Sequence, residues 1–212
     1  MSLTAPSLQI QCIAPGHPAY PEALERHWHA SPQEALRAIG DVGLLRVAKL
    51  GFLCSIRCRG SIILQTYDYV NTLSPAGPAV VSGFHSPMER KCFESLLRRG
   101  VRVIVCPARG IDSMRIPQDW RPAIAASRML IVSPYPAAIR RATDAHAVRR
   151  NLFVAALADK MLISYASSGG KTERFVRMIA GWGKPIESFR GEGNDLLFEL
   201  GARPAVGPKG AA

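Results

Sequence analysis

The sequence predicts an α/β fold, doubly wound around a mostly parallel sheet of about six strands. Three observations carry this expectation. Short apolar runs alternate with amphipathic stretches along residues 44–187, the rhythm of strand and crossover helix. The segment Pro78–Pro107 reads as strand, glycine turn, helix and strand, and two buried strands joined by a crossover helix run parallel. Two glycine turns, Ser82-Gly83 and Ser167-Ser168-Gly169-Gly170-Lys171-Thr172, each follow an apolar strand and open a helix. In parallel sheets ligands bind at these carboxyl ends of strands.

The elements follow in order. Residues 1–40 are expected to form an irregular arm, proline-rich and carrying His17, His27 and His29, with a short helix near Glu22–Trp28. Gln33–Ile39 reads as a helical turn capped by Ser31 and ended by Gly40. The main domain spans residues 41–200. Leu50–Ile56 is a first core strand, and Ile62–Leu73 a helix with Ile63, Tyr67 and Val70 on one face. Ala79–Ser82 is the next strand. Ser86, Pro87 and Glu89 then give an N-cap, a first-turn proline and a capping box. Cys92, Phe93, Leu96 and Leu97 form the apolar stripe of that helix, and Gly100 stops it. Val101–Cys106 is a strand and Ala108–Pro122 a long connection. Met129–Val132, Met161–Tyr165 and Lys184–Glu187 complete the strands. Asp144 caps a helix through Val148–Leu157, and Lys171–Trp182 is the last helix. Gly201–Ala212, rich in Gly, Pro and Ala, is expected to be a flexible tail.

Composition narrows the function. The chain has 212 residues, 48% hydrophobic and 20% charged, and a formal net charge of +11. Residues 1–36 hold one Arg and three Glu, so the excess of positive charge lies in the rest. A basic domain of this kind suits a polyanion or a phosphorylated ligand. The five cysteines, Cys12, Cys54, Cys58, Cys92 and Cys106, have no His or Cys partners at zinc spacing. They read as reduced thiols of a cytoplasmic protein. The most apolar stretch, Asn151–Ala166, is interrupted by Asp159-Lys160, so no membrane span is expected.

The two glycine turns are the candidate phosphate sites. Backbone N–H groups and a helix N-terminus at such turns attract anions. The second turn ends like a P-loop, but a Walker motif needs glycine where Tyr165 stands. Arginines gather near the same edge: Arg57 and Arg59 after the first strand, Arg109 after the third, Arg140-Arg141 and Arg149-Arg150 around a helix start. Their planar forks suit phosphate oxygens. Arg98, Arg99, Arg174 and Arg177 read instead as solvated helix faces. No Ser–His–carboxylate set, nucleophile elbow or metal-binding motif is present. The residues therefore point to binding more than to catalysis, with no metal or cofactor. Asp112 and Glu173 are the carboxylates near the ligand edge.

These pieces resemble the DNA-processing protein A (Smf) family, which shares a Rossmann-like domain with the "lonely guy" cytokinin-activating enzymes. The resemblance spans residues 40–187. Gly51–Ser55 with Arg57 is similar to the family's opening strand and its Gly-Ser-Arg turn. Val80-Val81-Ser82-Gly83 matches the start of V-V-S-G-L-A-R-G-I-D, after which Phe84–Glu89 departs from it. Val103-Ile104-Val105 with Arg109-Gly110-Ile111 resembles the next strand and its G-L-D loop. Arg150–Leu157 resembles R-N-R-I-I-A-G-L, with Leu152 in place of the second Arg. Ser168–Thr172 resembles S-G-S-L-x-T, one residue shorter.

The resemblance implies a Rossmann-like protein that binds single-stranded DNA in a basic pocket, forms a homodimer and hands the strand to a recombinase during transformation, without catalysis. The sequence departs from the family's pattern at both ends: no room for the family's usual C-terminal winged helix is expected, and the N-terminal arm is expected to be too short for a complete helical DNA-binding extension. Residues and resemblance together give a phosphate-binding set: Arg57, Ser82, Gly83, His85, Ser86, Arg109, Gly110, Arg150, Asn151, Ser168, Gly169, Gly170, Lys171 and Thr172. The alternative is a small-nucleotide sensor or hydrolase using the same pocket, with Glu173 or Asp112 as its ribose-binding or catalytic carboxylate.

Overall fold

The unit at 78–107 forms as its residues dictate. In the computed structural model, which describes residues 8–28 and 35–207, the Ser86 hydroxyl accepts the Glu89 N–H at 3.2 Å and the Glu89 carboxylate accepts the Ser86 N–H at 3.3 Å. Both halves of the capping box are made. At the other end Gly100 adopts φ +72°, and the Val101 N–H returns to the Leu96 carbonyl at 3.0 Å. That bond keeps Val101 in the helix cap, so the strand after it is Val103–Val105, shorter than the apolar run suggests.

In chain order the elements are β1 (Gln11–Ile13), α1 (Glu22–His27), β2 (Leu36–Gly40), β3 (Lys49–Leu53), α2 (Gly60–Thr72), β4 (Ala79–Ser82), α3 (Pro87–Arg98), β5 (Val103–Val105), α4 (Arg121–Ala125), β6 (Met129–Ser133), α5 (Asp144–Leu157), β7 (Lys160–Ile163), α6 (Lys171–Ile179), β8 (Ile186–Ser188), α7 (Asp195–Glu199) and β9 (Arg203–Pro204). They build one sheet in the order β1-β2-β6-β5-β4-β3-β7-β8-β9. Strands β3 to β9 run parallel to their neighbours, whereas β1–β2 and β2–β6 pair antiparallel. On one face the core is built from α1, α5 and α6 through Leu24, Phe153, Leu157, Phe175 and Val176. On the other it is built from α2, α3 and α4 through Ile62, Val70, Cys92, Leu96 and Ile124. Each fully buried large side chain contributes roughly 1.5–3 kcal/mol. This is the doubly wound α/β arrangement. No helix among the described residues is long and apolar enough to cross a membrane.

Among the described residues the nine strands are the six expected plus three more. Residues 36–40, read as the end of a helical turn, form β2 instead: Leu36 and Ala38 are buried on one face, and the backbone pairs with β6 over Arg37–Gly40. Tertiary pairing overrides the local pattern there. Ser31 and Gln33, its expected start, lie outside the described residues, as does His29. β1 and β9, three and two residues long, are too short to show a period of two. In the expected tail the Ala205 N–H bonds the Ser188 carbonyl at 2.8 Å, tying that segment to β8. Thr143, not Asp144, caps α5: its hydroxyl accepts the His146 N–H at 3.2 Å. Asp144 is the first helical residue.

The sheet's far side is pinned by Asn194. Its fully buried amide donates to the carbonyls of Ser164 (2.8 Å) and Phe189 (2.9 Å) and to the Ser188 hydroxyl (3.2 Å). Asn194→Ala takes that donor from the Ser164 and Phe189 carbonyls, while the Ser188 hydroxyl keeps its bond to the Ile163 carbonyl. Urea denaturation is expected to show a loss of about 2–3 kcal/mol at unchanged slope.

Candidate functional site

Strand order sets the site. From β3 the chain winds one way through β4, β5 and β6 and then returns to add β7 and β8 on the other side of β3. The order therefore reverses between β3 and β7, and a crevice opens beyond their carboxyl ends. A cavity of about 530 Å3 lies there. Its wall comes from the segment after β3 (Cys54, Ser55, Ile56, Arg57), the turn after β4 (His85, Ser86, Glu89), the start of α5 (Asp144, Ala147, Arg150, Asn151) and the turn into α6 (Ser167, Gly170, Lys171, Thr172). A second cavity of about 410 Å3 shares His85, Asp144, Ala147 and Arg150 with the first and adds Gly83 and Arg109. A third, of about 670 Å3, shares Gly83, Val105 and Trp120 with the second and is lined by Phe84, Phe93, Arg90 and Arg98. The first two adjoin at the sheet edge through Arg150, and the third continues from Gly83 along α3 as far as Arg98, so the three form one trough.

Arg150 is the centre of it. Its side chain is only 5% exposed. Nη1 donates to the Cys106 carbonyl at 3.0 Å and Nε to Asn151 Oδ1 at 2.8 Å. No carboxylate among the described residues lies within ion-pair distance of it. Burial lowers its pKa below the usual value, and the nearby Glu89 carboxylate acts the other way. Gly83 makes room for it: a Cβ at that position would overlap the Arg150 guanidinium. The next residue, Phe84, is held at φ +48°, a strained value for a side-chain-bearing residue. Its N–H is fixed by the Ser82 hydroxyl at 3.0 Å.

The first turn differs from expectation in its donors. Its N–H groups are not free. The buried Glu89 carboxylate accepts from the N–H groups of Cys54 (2.9 Å), His85 (2.7 Å) and Ser86 (3.3 Å). An internal anion occupies the position where the sequence suggests a phosphate. The second turn repeats the device: Glu173 accepts the Gly169 N–H at 2.7 Å and pairs with Arg177 at 3.0 Å. The bond from Gly169 holds the Glu173 carboxyl below its ordinary pKa, with Arg177 helping. Across the cavity mouth Lys171 pairs with Asp144 at 2.8 Å, both exposed. The hydrogen bond from Lys171 lowers the Asp144 pKa.

Of the residues expected to bind phosphate, Arg57, His85, Ser86, Arg150, Asn151, Gly170, Lys171 and Thr172 line the first cavity, and Gly83 and Arg109 the second. Ser82 and Gly110 are buried off the wall. The Ser82 side chain serves the turn, and Gly110 lies against the Pro136 carbonyl. Ser168 and Gly169 are exposed on the outer side of their turn. Asp112 is bound by Arg37, and neither it nor Glu173 lines a cavity of the trough. The carboxylates that do reach the first cavity are Glu89 and Asp144. The capping box was the sequence signal for Glu89.

The same fold occurs in known structures. DNA processing protein A of Streptococcus pneumoniae superposes with a TM-score of 0.75 at 17% identity, over 93% of this chain and 71% of that one. The Helicobacter pylori protein, solved for its single-stranded DNA binding mode, gives 0.72 at 20% identity, over 95% and 93%. A comparison with curated proteins returned no match. The family described as DNA recombination-mediator protein A matches residues 11–203. The chain belongs to the DNA recombination-mediator protein A family.

Proposed function

We propose that this protein binds single-stranded DNA along the trough, with the strand's phosphates passing Arg150. The observation that carries this reading is Arg150 itself: a buried guanidinium on the wall shared by two cavities, with Glu89 nearby but no carboxylate in ion-pair contact with it. A buried cation without a contacting counter-ion gains from an arriving anion. The extent of the trough supports a strand over a mononucleotide, because Arg57, Lys171 and Arg109 continue the positive charge through the first two cavities, while in the third Arg90 and Arg98 stand among Glu94 and Asp119. The partly buried Trp120, backed by Phe93, offers an aromatic surface for a base. The Helicobacter pylori relative, whose described property is single-stranded DNA binding, points the same way. A nucleotide hydrolase is disfavoured, since Asp112 and Glu173 are already engaged with Arg37 and Arg177. We extend the reading, on the family alone, to a homodimer that passes its strand to a recombinase in DNA processing.

Lys171 tests the phosphate contacts at the rim. It is exposed and exchanges Asp144 for a phosphate at little cost. Lys171→Ala is expected to weaken oligo-dT binding and to reduce the slope of log K against log salt by about 0.7–1. Fluorescence anisotropy at several salt concentrations measures both. An unchanged slope would remove Lys171 from the contact set.

A further inference from the structure

The third cavity of the trough differs from the other two in its charge. At about 670 Å3 it lies within the size range of pockets that take a small planar ligand. Much of its wall is apolar: Phe84, Phe93, Leu97 and Val105 line it, with the partly buried Trp120 where it adjoins the second cavity. The Phe84 and Phe93 rings meet at 4.6 Å, and Phe93 meets Trp120 edge-on at 5.1 Å. The strained φ of Phe84, +48°, accompanies this placement, and such strain gathers at ligand sites. Arg90, Glu94 and Arg98 stand in a row along α3, and Asp119 comes from the turn before α4. All four are exposed. Glu94 pairs with Lys91 at 3.1 Å, and Arg90 Nε donates to the His85 carbonyl at 3.0 Å. The Arg98 and Asp119 side chains form no ion pair among the described residues, either with each other or with a neighbour. One apolar cavity thus offers a fork of donors and a pair of acceptor oxygens that do not neutralise one another.

A phosphate does not suit this mixture, because Asp119 and Glu94 repel it. A neutral group with donors and acceptors along its edge does, and in a single strand that group is an unstacked base. We propose that the third cavity is a base-selective pocket that takes one guanine of the bound strand, stacked on Trp120, with Asp119 accepting from its N1–H and 2-amino groups and Arg98 donating to its O6 and N7. The proposal rests on the trough being the DNA site. Guanine is the base that matches both partners. Its N1–H and 2-amino group are adjacent donors for a carboxylate, and its O6 and N7 are adjacent acceptors for a guanidinium. Thymine has a single ring N–H and no amino group. Adenine and cytosine have an amino group without a ring N–H beside it. Stacking on Trp120 accepts any base, so the preference comes from the edge contacts. The phosphates on either side stay with Arg150 and Arg109. Gly83, Val105 and Trp120, common to the second and third cavities, mark where the base leaves the phosphate path.

The test compares labelled oligo-dT with the same oligo carrying one central dG, dA, dC or deoxyinosine, by fluorescence anisotropy on the full chain. One dG is expected to tighten binding about five- to tenfold, the worth of a well-made bidentate contact, and dA and dC are expected to match dT. Deoxyinosine, which lacks the 2-amino group, is expected to fall between. The readout for variants is the ratio of the dG and dT affinities, which cancels changes common to both oligos. Asp119→Ala and Arg98→Ala, both at exposed positions, are each expected to bring that ratio close to one. Equal affinity of wild type for the dG and dT oligos, an equal gain from dA, or a ratio that survives Asp119→Ala would overturn the proposal while leaving the DNA reading in place. Binding of none of the oligos would count against the DNA reading itself. Guanosine then tests the pocket without any phosphate. It is expected to quench tryptophan fluorescence more than thymidine does, and the difference is expected to vanish in Trp120→Phe. Equal quenching by the two nucleosides would overturn the pocket as well.

Discussion

Replacing Arg150 by alanine is expected to weaken single-stranded DNA binding roughly 10- to 100-fold, the worth of one desolvated charge-assisted contact. The size of the effect follows from burial. At 5% exposure the guanidinium is poorly screened by water and salt, so its attraction for a phosphate exceeds that of Lys171 at the rim. Its aim is also fixed, because the Cys106 carbonyl and Asn151 hold two sides of the fork. Arg150→Lys keeps the charge but cannot hold both partners and reach the cavity together, so an intermediate loss is expected. Arg150→Met fills the space left in the helix packing and separates binding from folding. Anisotropy titration with a melting curve for each variant reads both. Wild-type affinity in a folded Arg150→Ala protein would take Arg150 out of the site.

Glu89→Ala is expected to be the most destabilising change at the site, by about 3 kcal/mol or more. Three N–H groups, those of Cys54, His85 and Ser86, lose their acceptor together, and each unpaired buried donor costs roughly 1–3 kcal/mol. The effect crosses elements, since Glu89 sits on α3 yet holds the end of β3 and the turn after β4. Glu89→Gln leaves one acceptor oxygen but turns an amide donor toward other donors, and an intermediate loss is expected. Urea unfolding with an unchanged slope measures the difference. A loss below about 1 kcal/mol would contradict the role assigned to Glu89.

Much of this was legible in the residues. The capping box at Ser86 and Glu89 and the glycine stop at Gly100 fixed α3 because both are local signals, complete within four residues. The apolar runs located six of the nine strands for a similar reason: buried parallel strands are continuous in sequence. β2 was not legible, since Leu-Arg-Ala-Ile-Gly carries no pattern that separates strand from helix until β6 is beside it. At the site, strand ends and arginines gave the edge correctly. What they could not give was the occupancy of the turns. A glycine turn looks the same whether its N–H groups await a ligand or already bond a carboxylate four residues on, as Gly169 does with Glu173. Likewise nothing local distinguishes Arg150, which turns inward through the gap left by Gly83, from Arg149 beside it, which lies over Trp28.

The central claim is that the trough holds a strand of phosphates rather than a single nucleotide. The measurement that meets it most directly is the anisotropy of a labelled oligo-dT across a salt series, repeated with nucleoside monophosphates as competitors. The account predicts tight binding at low salt that falls steeply with ionic strength, with a slope for several released counterions, and little displacement by monophosphates. Absence of binding at low salt, or displacement by a monophosphate at concentrations near its own affinity, would contradict it.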